Sequence, residues 1–183
     1  MKRVVNIFAG CLNVFVAVAI VVIGVMQISE LNAQEKLTTI TKEDRYCLAQ
    51  NIFFEARNQS VEGQVAVAWV TLNRMESSKF PMSLCGVVKQ SRRDASGNPI
   101  RYKCQFSWYC DGKKDIIPNN VIAQRAWADA QLITDVVLLD WARAKASPVE
   151  NATFYHANYV KPSWARAFDK VAVVGDHIFY ANN

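Results

Sequence analysis

The chain lacks the motifs that mark several large enzyme classes. It has only two histidines, His156 and His177, and no Gly-x-Ser-x-Gly elbow, so a serine or cysteine triad is poorly supported. Glycine-rich phosphate loops and dinucleotide-binding fingerprints are absent as well. Because no His-Glu-x-x-His pattern occurs, a zinc site built from both histidines and a carboxylate is only a weak alternative. We therefore expect no metal and no cofactor.

Strong charge of one sign is also missing. The net charge of +5 on 183 residues is too small to indicate a surface that binds nucleic acid, and the sequence has no concentrated run of basic residues. We expect no nucleic-acid partner, although a mild positive balance would suit an anionic polymer. The length supports one domain plus an extension, and we expect a monomer.

The N-terminus carries the one long uncharged run. Lys2 and Arg3 precede a stretch from Val4 to Ser29 that is long enough to cross a bilayer as a helix. Two positive charges before the run predict that the rest of the chain leaves the cytoplasm. A cleaved signal peptide is the alternative, but the run is long for one, and Leu31-Asn32-Ala33 is a poor cleavage site.

The predicted organisation follows from that run. Residues 1–29 form a transmembrane signal-anchor, residues 30–42 form a polar tether, and residues 43–183 form the exported domain. The anchor would hold the domain at the inner membrane, in the periplasm or cell-wall space. Glycines and polar residues within the run leave release from the membrane as an alternative.

Four cysteines lie in the exported domain: Cys47, Cys85, Cys104 and Cys110. In an oxidising compartment they predict two disulfides, for which three connectivities exist. Cys104 and Cys110 can close a short local loop, and Cys47 would then be joined to Cys85.

Hydrophobic periodicity predicts an α+β domain that is mainly helical, with a small antiparallel sheet from its C-terminal third. Residues 91–103 are polar and rich in turn formers, so they are predicted to be a loop, and a short extended piece follows to Gly112. The predicted helices are Lys42–Arg57, Val61–Glu76, Met82–Lys89 and Asn120–Ala146, and the predicted strands are Ala152–His156, Val171–Val174 and Ile178–Tyr180.

Glu55 is the carboxylate on which the prediction of chemistry centres. The first of these helices has Thr41 as its N-cap and a core stripe of Leu48, Ile52 and Ala56. Glu55 lies close to that stripe, where desolvation raises the pKa of a carboxyl group. A glutamate in such a place can act as a general acid near neutral pH.

Several motifs, taken together and in order, resemble the SleB/CwlJ-type cell-wall hydrolases. The resemblance covers essentially all of Tyr46 to Tyr180. The motifs are Cys47-Leu48-Ala49, Phe54-Glu55-Ala56-Arg57, Glu62-Gly63-Gln64-Val65-Ala66, Leu72-Asn73-Arg74, Phe80-Pro81, Cys85-Gly86-Val87-Val88, Gln105-Phe106-Ser107-Trp108, Ala152-Thr153-Phe154-Tyr155-His156, Pro162-Ser163-Trp164 and Gly175-Asp176-His177.

The resemblance implies a fold like that of lytic transglycosylases and action on peptidoglycan glycan strands. Glu55 matches the family's catalytic glutamate. It would protonate the glycosidic oxygen between N-acetylmuramic acid and N-acetylglucosamine and then, as a base, allow the muramic acid to close a 1,6-anhydro ring. The family usually has Gly-Glu where this chain has Asn58-Gln59, so a second carboxylate near the site is missing, which fits a mechanism with one carboxylate.

Further site residues are predicted from the motifs that resemble the family. Arg57 could bind a stem-peptide or lactyl carboxylate, although a structural ion pair is an equal alternative. The candidates for contacts with the sugars are Gln105, Ser107, Trp108, Tyr155 and His156.

Three alternatives stay open at this point. They are muramidase-type hydrolysis of the same bond, a zinc N-acetylmuramoyl-L-alanine amidase, and a wall-binding protein without activity. A phage endolysin and a bacterial envelope-remodelling enzyme are both compatible with the sequence.

Overall fold

The computed structural model describes residues 2–182, with side chains from residue 18 onward. Within these residues the chain forms five α-helices, five strands and two short 3-10 helices. The helices are α1 (Lys2–Thr38), α2 (Lys42–Ala56), α3 (Val61–Glu76), α4 (Leu84–Val88) and α5 (Val121–Ala142); the strands are β1 (Ser91–Arg93), β2 (Pro99–Cys104), β3 (Phe154–Ala157), β4 (Asp169–Val174) and β5 (His177–Ala181); the 3-10 helices are Ser107–Cys110 and Ser163–Ala167.

Helix α1 contains the uncharged run from Val4 to Ser29. Across the described part of the chain, no helix has both the length and the apolar character needed to span a membrane. The predicted transmembrane span is therefore not supported. Part of the run, residues 4–17, lies outside the residues whose side chains are described.

The segment predicted as a tether, residues 30–42, differs from that expectation. Its first part continues helix α1 to Thr38, and Ala33 is buried. Lys36 Nζ lies 3.4 Å from Glu76 Oε1 and 3.8 Å from the centroid of the Trp141 ring. The segment packs because its polar side chains find partners on α3 and α5.

Helix α2 occupies the centre of the domain and packs against α3, α4 and α5. Its predicted stripe is confirmed, since Leu48, Ile52 and Ala56 are all buried. Thr41 forms a full capping box, in which its Oγ1 accepts from the backbone N–H of Asp44 at 3.0 Å. Because α2 is surrounded by core, its last turn has a fixed position in the fold.

Both disulfides follow the pairing favoured by the sequence. Cys47 on α2 is bonded to Cys85 on α4, and Cys104 is bonded to Cys110. The first bond therefore fastens α4 to the central helix, and the second closes the loop that contains residues 105–109.

The predicted loop over residues 91–103 is wrong, because the segment forms the antiparallel hairpin β1–β2. Its turn is made by Asp94, whose Oδ1 accepts from the N–H groups of Ser96 and Asn98, both at 2.9 Å. Most residues of the two strands are exposed, so they show no alternation of apolar and polar residues.

Most element ends differ from the predicted ones by one or two residues, and larger differences occur at the end of α5 and after β2. Helix α5 ends at Ala142 rather than Ala146, because Ala144 adopts a left-handed backbone (φ 54°), as in a helix C-terminal cap. The predicted extended piece from Cys104 to Gly112 instead contains the 3-10 helix Ser107–Cys110.

The C-terminal sheet is antiparallel in the order β3-β5-β4. Tyr155 pairs with Phe179 and Ala157 pairs with His177, so Tyr155, His177 and Phe179 share one face. His156 lies on the opposite face. The sheet thus presents Tyr155 to the end of α2.

Candidate active site

Glu55 lies in the last turn of α2 and is largely withdrawn from water. The Tyr155 hydroxyl donates a hydrogen bond to Glu55 Oε2 at 2.9 Å. Burial raises the pKa of Glu55, while the Tyr155 hydrogen bond and the nearby charge of Arg74 oppose that rise. Desolvation is the largest of these effects, so the pKa of Glu55 lies above the usual range of a glutamate.

Arg74 is the cation whose charge lowers the pKa of this carboxyl group, and the residue is only 3% exposed. Its Nε donates to the carbonyl of Thr153 at 2.7 Å, and its guanidinium lies 4.9 Å from the Phe106 ring centroid. Burial lowers the pKa of Arg74 to about 10, so it remains charged at neutral pH. Its Nη1 is buried without a hydrogen-bond partner.

Tyr155 keeps its proton at any ordinary pH. Burial raises its pKa well above 10, and the neighbouring Glu55 charge adds to that rise. It is therefore a permanent donor to Glu55, which fixes one carboxyl oxygen and leaves the other for a ligand.

Two cavities meet at Glu55. Cavity A has a volume of about 340 Å³ and is formed by the disulfide-closed loop, the sheet and the segment after it. Its lining residues are Glu55, Arg74, Gln105, Phe106, Ser107, Phe154, Tyr155 and Trp164. The predicted candidates Gln105, Ser107 and Tyr155 thus come together with Glu55.

Cavity B has a volume of about 360 Å³ and is formed by the α2–α3 turn and the β4–β5 turn. It contains the predicted candidate Arg57 together with several polar side chains. Its lining residues are Phe54, Glu55, Arg57, Asn58, Gln59, Ala157, Tyr159, Asp176 and His177. Glu55 belongs to both walls, so a ligand that filled both cavities would pass beside its carboxyl group.

Trp108 does not line either cavity, contrary to its predicted contact with sugars. It is buried, its Nε1 donates to Asn51 Oδ1 at 3.1 Å, and its ring stacks on Phe54 at 4.7 Å. It attaches the disulfide-closed loop to α2 and so supports the wall of cavity A indirectly.

His156 is also placed away from Glu55. Its Nδ1 donates to the Ala157 carbonyl at 2.8 Å, and its Nε2 lies 3.0 Å from the Tyr180 hydroxyl. Because both ring nitrogens are engaged within the sheet, the contacts favour a structural role over contact with a ligand.

Gln59 has a partner that changes the expectation of a single carboxylate. Its Nε2 donates to Asp176 Oδ2 at 3.3 Å, and its Oε1 accepts from the Asp176 N–H at 3.1 Å. A second carboxylate therefore does line cavity B, although it comes from the β4–β5 turn and not from position 59.

Arg74, Asp176 and His177 line the two cavities but are not among the predicted site residues. A signal for Arg74 exists, since it follows the buried residues Val67 and Val70 at helical spacing, where a charge needs a partner. For Asp176 the signal is its place in the Gly175-Asp176-His177 motif, but that motif does not predict its pairing with Gln59, which lies far away in the chain.

The geometry gives the zinc alternative little support. Pairing of Ala157 with His177 puts the two histidines on opposite faces of the sheet. Among the described residues, the three possible metal ligands that lie close together are Glu43, Cys47 and Cys85, and both cysteines are in a disulfide.

Comparison with known proteins gives a family match over most of the domain. The sequence model described as Cell Wall Hydrolase matches residues 58–180, a range that begins just after Glu55. The chain is 31% identical over 140 residues to the spore cortex-lytic enzyme of Bacillus subtilis (strain 168), and 29% identical over 140 residues to that of Oceanobacillus iheyensis. Both alignments cover 76% of this chain but only 38% and 42% of those proteins.

Two solved structures have a similar fold. The catalytic domain of the Bacillus cereus SleB protein gives a TM-score of 0.51 at 26% identity, covering 78% of this chain and 92% of that domain. The catalytic domain of the germination-specific lytic transglycosylase SleB from Bacillus anthracis gives 0.52 at 27% identity, covering 77% and 96%. The mainly helical α+β fold with small antiparallel sheets is therefore one that catalytic domains of this kind share.

Proposed function

Since the chain belongs to the cell wall hydrolase family, as its motifs predicted, we propose that it degrades peptidoglycan as a lytic transglycosylase. The bond cleaved joins N-acetylmuramic acid to N-acetylglucosamine, and Glu55 is the general acid and base. The observation that carries this proposal is the position of Glu55, a carboxyl group with a pKa raised by burial at the junction of two cavities.

In the first step, protonated Glu55 gives its proton to the glycosidic oxygen as the bond to the muramoyl C1 breaks. The raised pKa increases the fraction of Glu55 that is protonated at a given pH, as a general acid requires. Tyr155 holds one oxygen of the carboxyl group, so the other oxygen has a defined direction toward the linkage.

In the second step, the Glu55 carboxylate takes the proton of the muramoyl C6 hydroxyl. The C6 oxygen forms a bond to C1, which closes the 1,6-anhydro ring and returns Glu55 to its protonated state. Between the two steps Glu55 carries a negative charge, which Tyr155 and Arg74 stabilise. No water is consumed.

Gln105 and Ser107 are proposed to bind hydroxyl or acetamido groups of the sugar in cavity A. Both line the cavity beside Glu55, and both side chains offer donors and acceptors. Trp164 in the same wall offers an aromatic face against which a sugar ring can pack.

Hydrolysis of the same bond is the second candidate, and Asp176 is the observation that favours it. An exposed carboxylate in cavity B could take a proton from water while Glu55 acts as the acid. The product then ends in a free reducing muramic acid. An Asp176→Asn variant that stopped cleavage would favour this candidate.

The proposed location of the domain is outside the cytoplasm. Lys2 and Arg3 before an uncharged run are typical of an exported chain, and two disulfides suit an oxidising compartment. A lysis protein and an envelope-remodelling enzyme both fit such a location.

Replacing the acid tests the assignment. Glu55→Gln should lower the rate at which fragments are released from purified sacculi by at least about 1,000-fold, because the amide group of glutamine cannot give a proton to the glycosidic oxygen. Glu62→Gln is the matched control, since Glu62 is exposed at the start of α3 and lines neither cavity. Full activity in Glu55→Gln, with an unchanged circular dichroism spectrum in both variants, would reject Glu55 as the catalytic residue.

A further inference from the structure

Cavity B has an exposed cation that the reaction at Glu55 does not use. The Arg57 guanidinium lies 4.9 Å from the centroid of the Phe53 ring, and Phe53 is buried in the core. Within the part of the chain that the structure describes, no carboxylate forms an ion pair with Arg57. The structural ion pair considered for Arg57 is therefore absent there, and its charge remains free for a ligand.

The wall beside Arg57 is already formed without a ligand. The two hydrogen bonds between Gln59 and Asp176 join the α2–α3 turn to the β4–β5 turn. Gly175 makes this contact possible, because it has a left-handed backbone (φ 56°) and a Cβ there would lie 2.8 Å from Gln59 Oε1. A preformed wall lowers the entropy cost of binding.

His177 is a further polar residue in the wall of cavity B. It is only 8% exposed, and its Nδ1 is buried without a hydrogen-bond partner. A buried polar atom in this state costs free energy unless a ligand or water supplies the partner. Burial also lowers the pKa of His177, so the ring is neutral and can offer one donor and one acceptor.

Cavity A differs in the groups that it offers to a charged ligand. Its one cation, Arg74, is buried and interacts electrostatically with Glu55. The remaining wall is aromatic or uncharged, with Phe154 and Trp164 among its residues. Cavity B also contains the Asp176 carboxylate, but that carboxylate accepts a hydrogen bond from Gln59. A bulky anionic substituent is therefore better accommodated in cavity B, where Arg57 is exposed.

The two sugars on either side of the cleaved bond differ in such a substituent. Only the muramoyl sugar carries a lactyl group with a peptide that ends in carboxylates. Resting on the proposed function, we propose that cavity B binds the muramoyl sugar and that Arg57 pairs with a carboxylate of its stem peptide. N-acetylglucosamine then lies in cavity A, which sets the direction of the glycan strand across Glu55.

The test compares strands that carry stem peptides with the same strands after an amidase has removed the peptides. Hydrolysis of that amide leaves a lactyl carboxylate on each muramoyl sugar, so the comparison separates the carboxylates of the stem peptide from the lactyl one. For the wild-type chain, kcat/KM should be higher on the stem-bearing strands. Arg57→Gln should lower the ratio of the two kcat/KM values about 2- to 5-fold, the size of one exposed charge pair. Arg57→Lys should keep most of the ratio, and added salt should reduce it.

Arg125→Gln is the matched control, since Arg125 is exposed on α5 and lines neither cavity. It should leave the ratio at the wild-type value. An unchanged ratio in Arg57→Gln, or an equal fall in Arg125→Gln, would overturn the role of Arg57.

Binding separates this inference from the proposed reaction. In the Glu55→Gln background, adding Arg57→Gln should weaken binding of stem-bearing strands, and it should weaken binding of stem-free strands much less. Equal weakening on both would overturn the inference. Cleavage by Glu55→Gln would reject the proposed function, while the binding comparison would still decide the role of Arg57.

Discussion

The two cavities beside Glu55 are held together by different kinds of interaction. The loop of cavity A is closed by the Cys104–Cys110 disulfide and attached to α2 by the buried Trp108. The wall of cavity B is joined by hydrogen bonds between Gln59 and Asp176, and Asp176 is exposed. The shape of cavity A should therefore depend on a disulfide and on buried contacts. Substitutions in the wall of cavity B should cost less stability and should mainly change the affinity for substrate.

After Glu55 itself, Arg74 is the residue of cavity A for which we expect the largest effect. Arg74→Met should lower kcat/KM about 100-fold, because it removes the charge that stabilises the Glu55 carboxylate between the two steps. Arg74 also lowers the pKa of Glu55, so its loss lets burial raise that pKa further. The acid form then persists to higher pH, and the alkaline limb of the pH profile should move upward.

Arg74→Lys is the control for this prediction, since it keeps a positive charge in the same place. Its alkaline limb should stay closer to that of the wild type. If both variants lose activity equally and neither shifts the pH profile, Arg74 contributes to packing only.

The two disulfides should separate stability from activity. A disulfide stabilises the folded protein by lowering the entropy of the unfolded chain, and it does so more when the joined cysteines are far apart in sequence. Cys47 and Cys85 are separated by 38 positions, so their bond should add about 4 kcal/mol to the free energy of unfolding. Cys104 and Cys110 are separated by 6, so their bond should add about 2 kcal/mol. Replacing both members of Cys47–Cys85 with alanine should therefore lower Tm more.

The effect on activity should have the opposite order. Serine at both Cys104 and Cys110 should lower the kcat of the folded protein about 10-fold, because Gln105 and Ser107 lose their fixed positions in cavity A. Thermal unfolding and initial rates below Tm measure the two quantities. Wild-type activity in this variant would show that cavity A does not depend on the Cys104–Cys110 disulfide.

Gln59 in cavity B should give the smallest effect. Gln59→Ala removes both hydrogen bonds to Asp176 and should cost about 1 kcal/mol of unfolding free energy. We expect KM to rise about 2- to 5-fold with little change in kcat, since Glu55 keeps its bond to Tyr155. Steady-state kinetics on soluble strands provide the measurement.

Gln59→Glu is informative as a companion variant. It restores the residue that the family usually has, but it places a second carboxylate against Asp176. Repulsion should make this variant weaker than Gln59→Ala at neutral pH and less so at acidic pH. A fall in kcat as large as that of Arg74→Met would mean that the two cavities do not differ in the way described.

Local patterns were sufficient to predict much of the fold. The Thr41 cap, the stripe of α2 and the disulfide pairing all depend on spacing along the chain, and the structure confirms them. The β1–β2 hairpin was missed because its strands are exposed, and burial is what creates an alternating pattern.

The remaining site residues depend on tertiary contacts that spacing does not encode. Trp108 lies in a motif of the family, yet its indole N–H donates to Asn51 and so attaches its loop to α2. Asp176 joins the site only because β4 and β5 bring their turn to Gln59. A single sequence gives no period or motif for such pairs, and the fold is needed to find them.

The mass of the fragments that the wild-type chain releases from peptidoglycan tests the central claim most directly. Transglycosylation by Glu55 predicts muropeptides that end in a 1,6-anhydro ring and lack the mass of one water. Fragments with a reducing muramic acid would contradict the mechanism and favour hydrolysis assisted by Asp176, and free stem peptides would contradict cleavage of the glycan altogether.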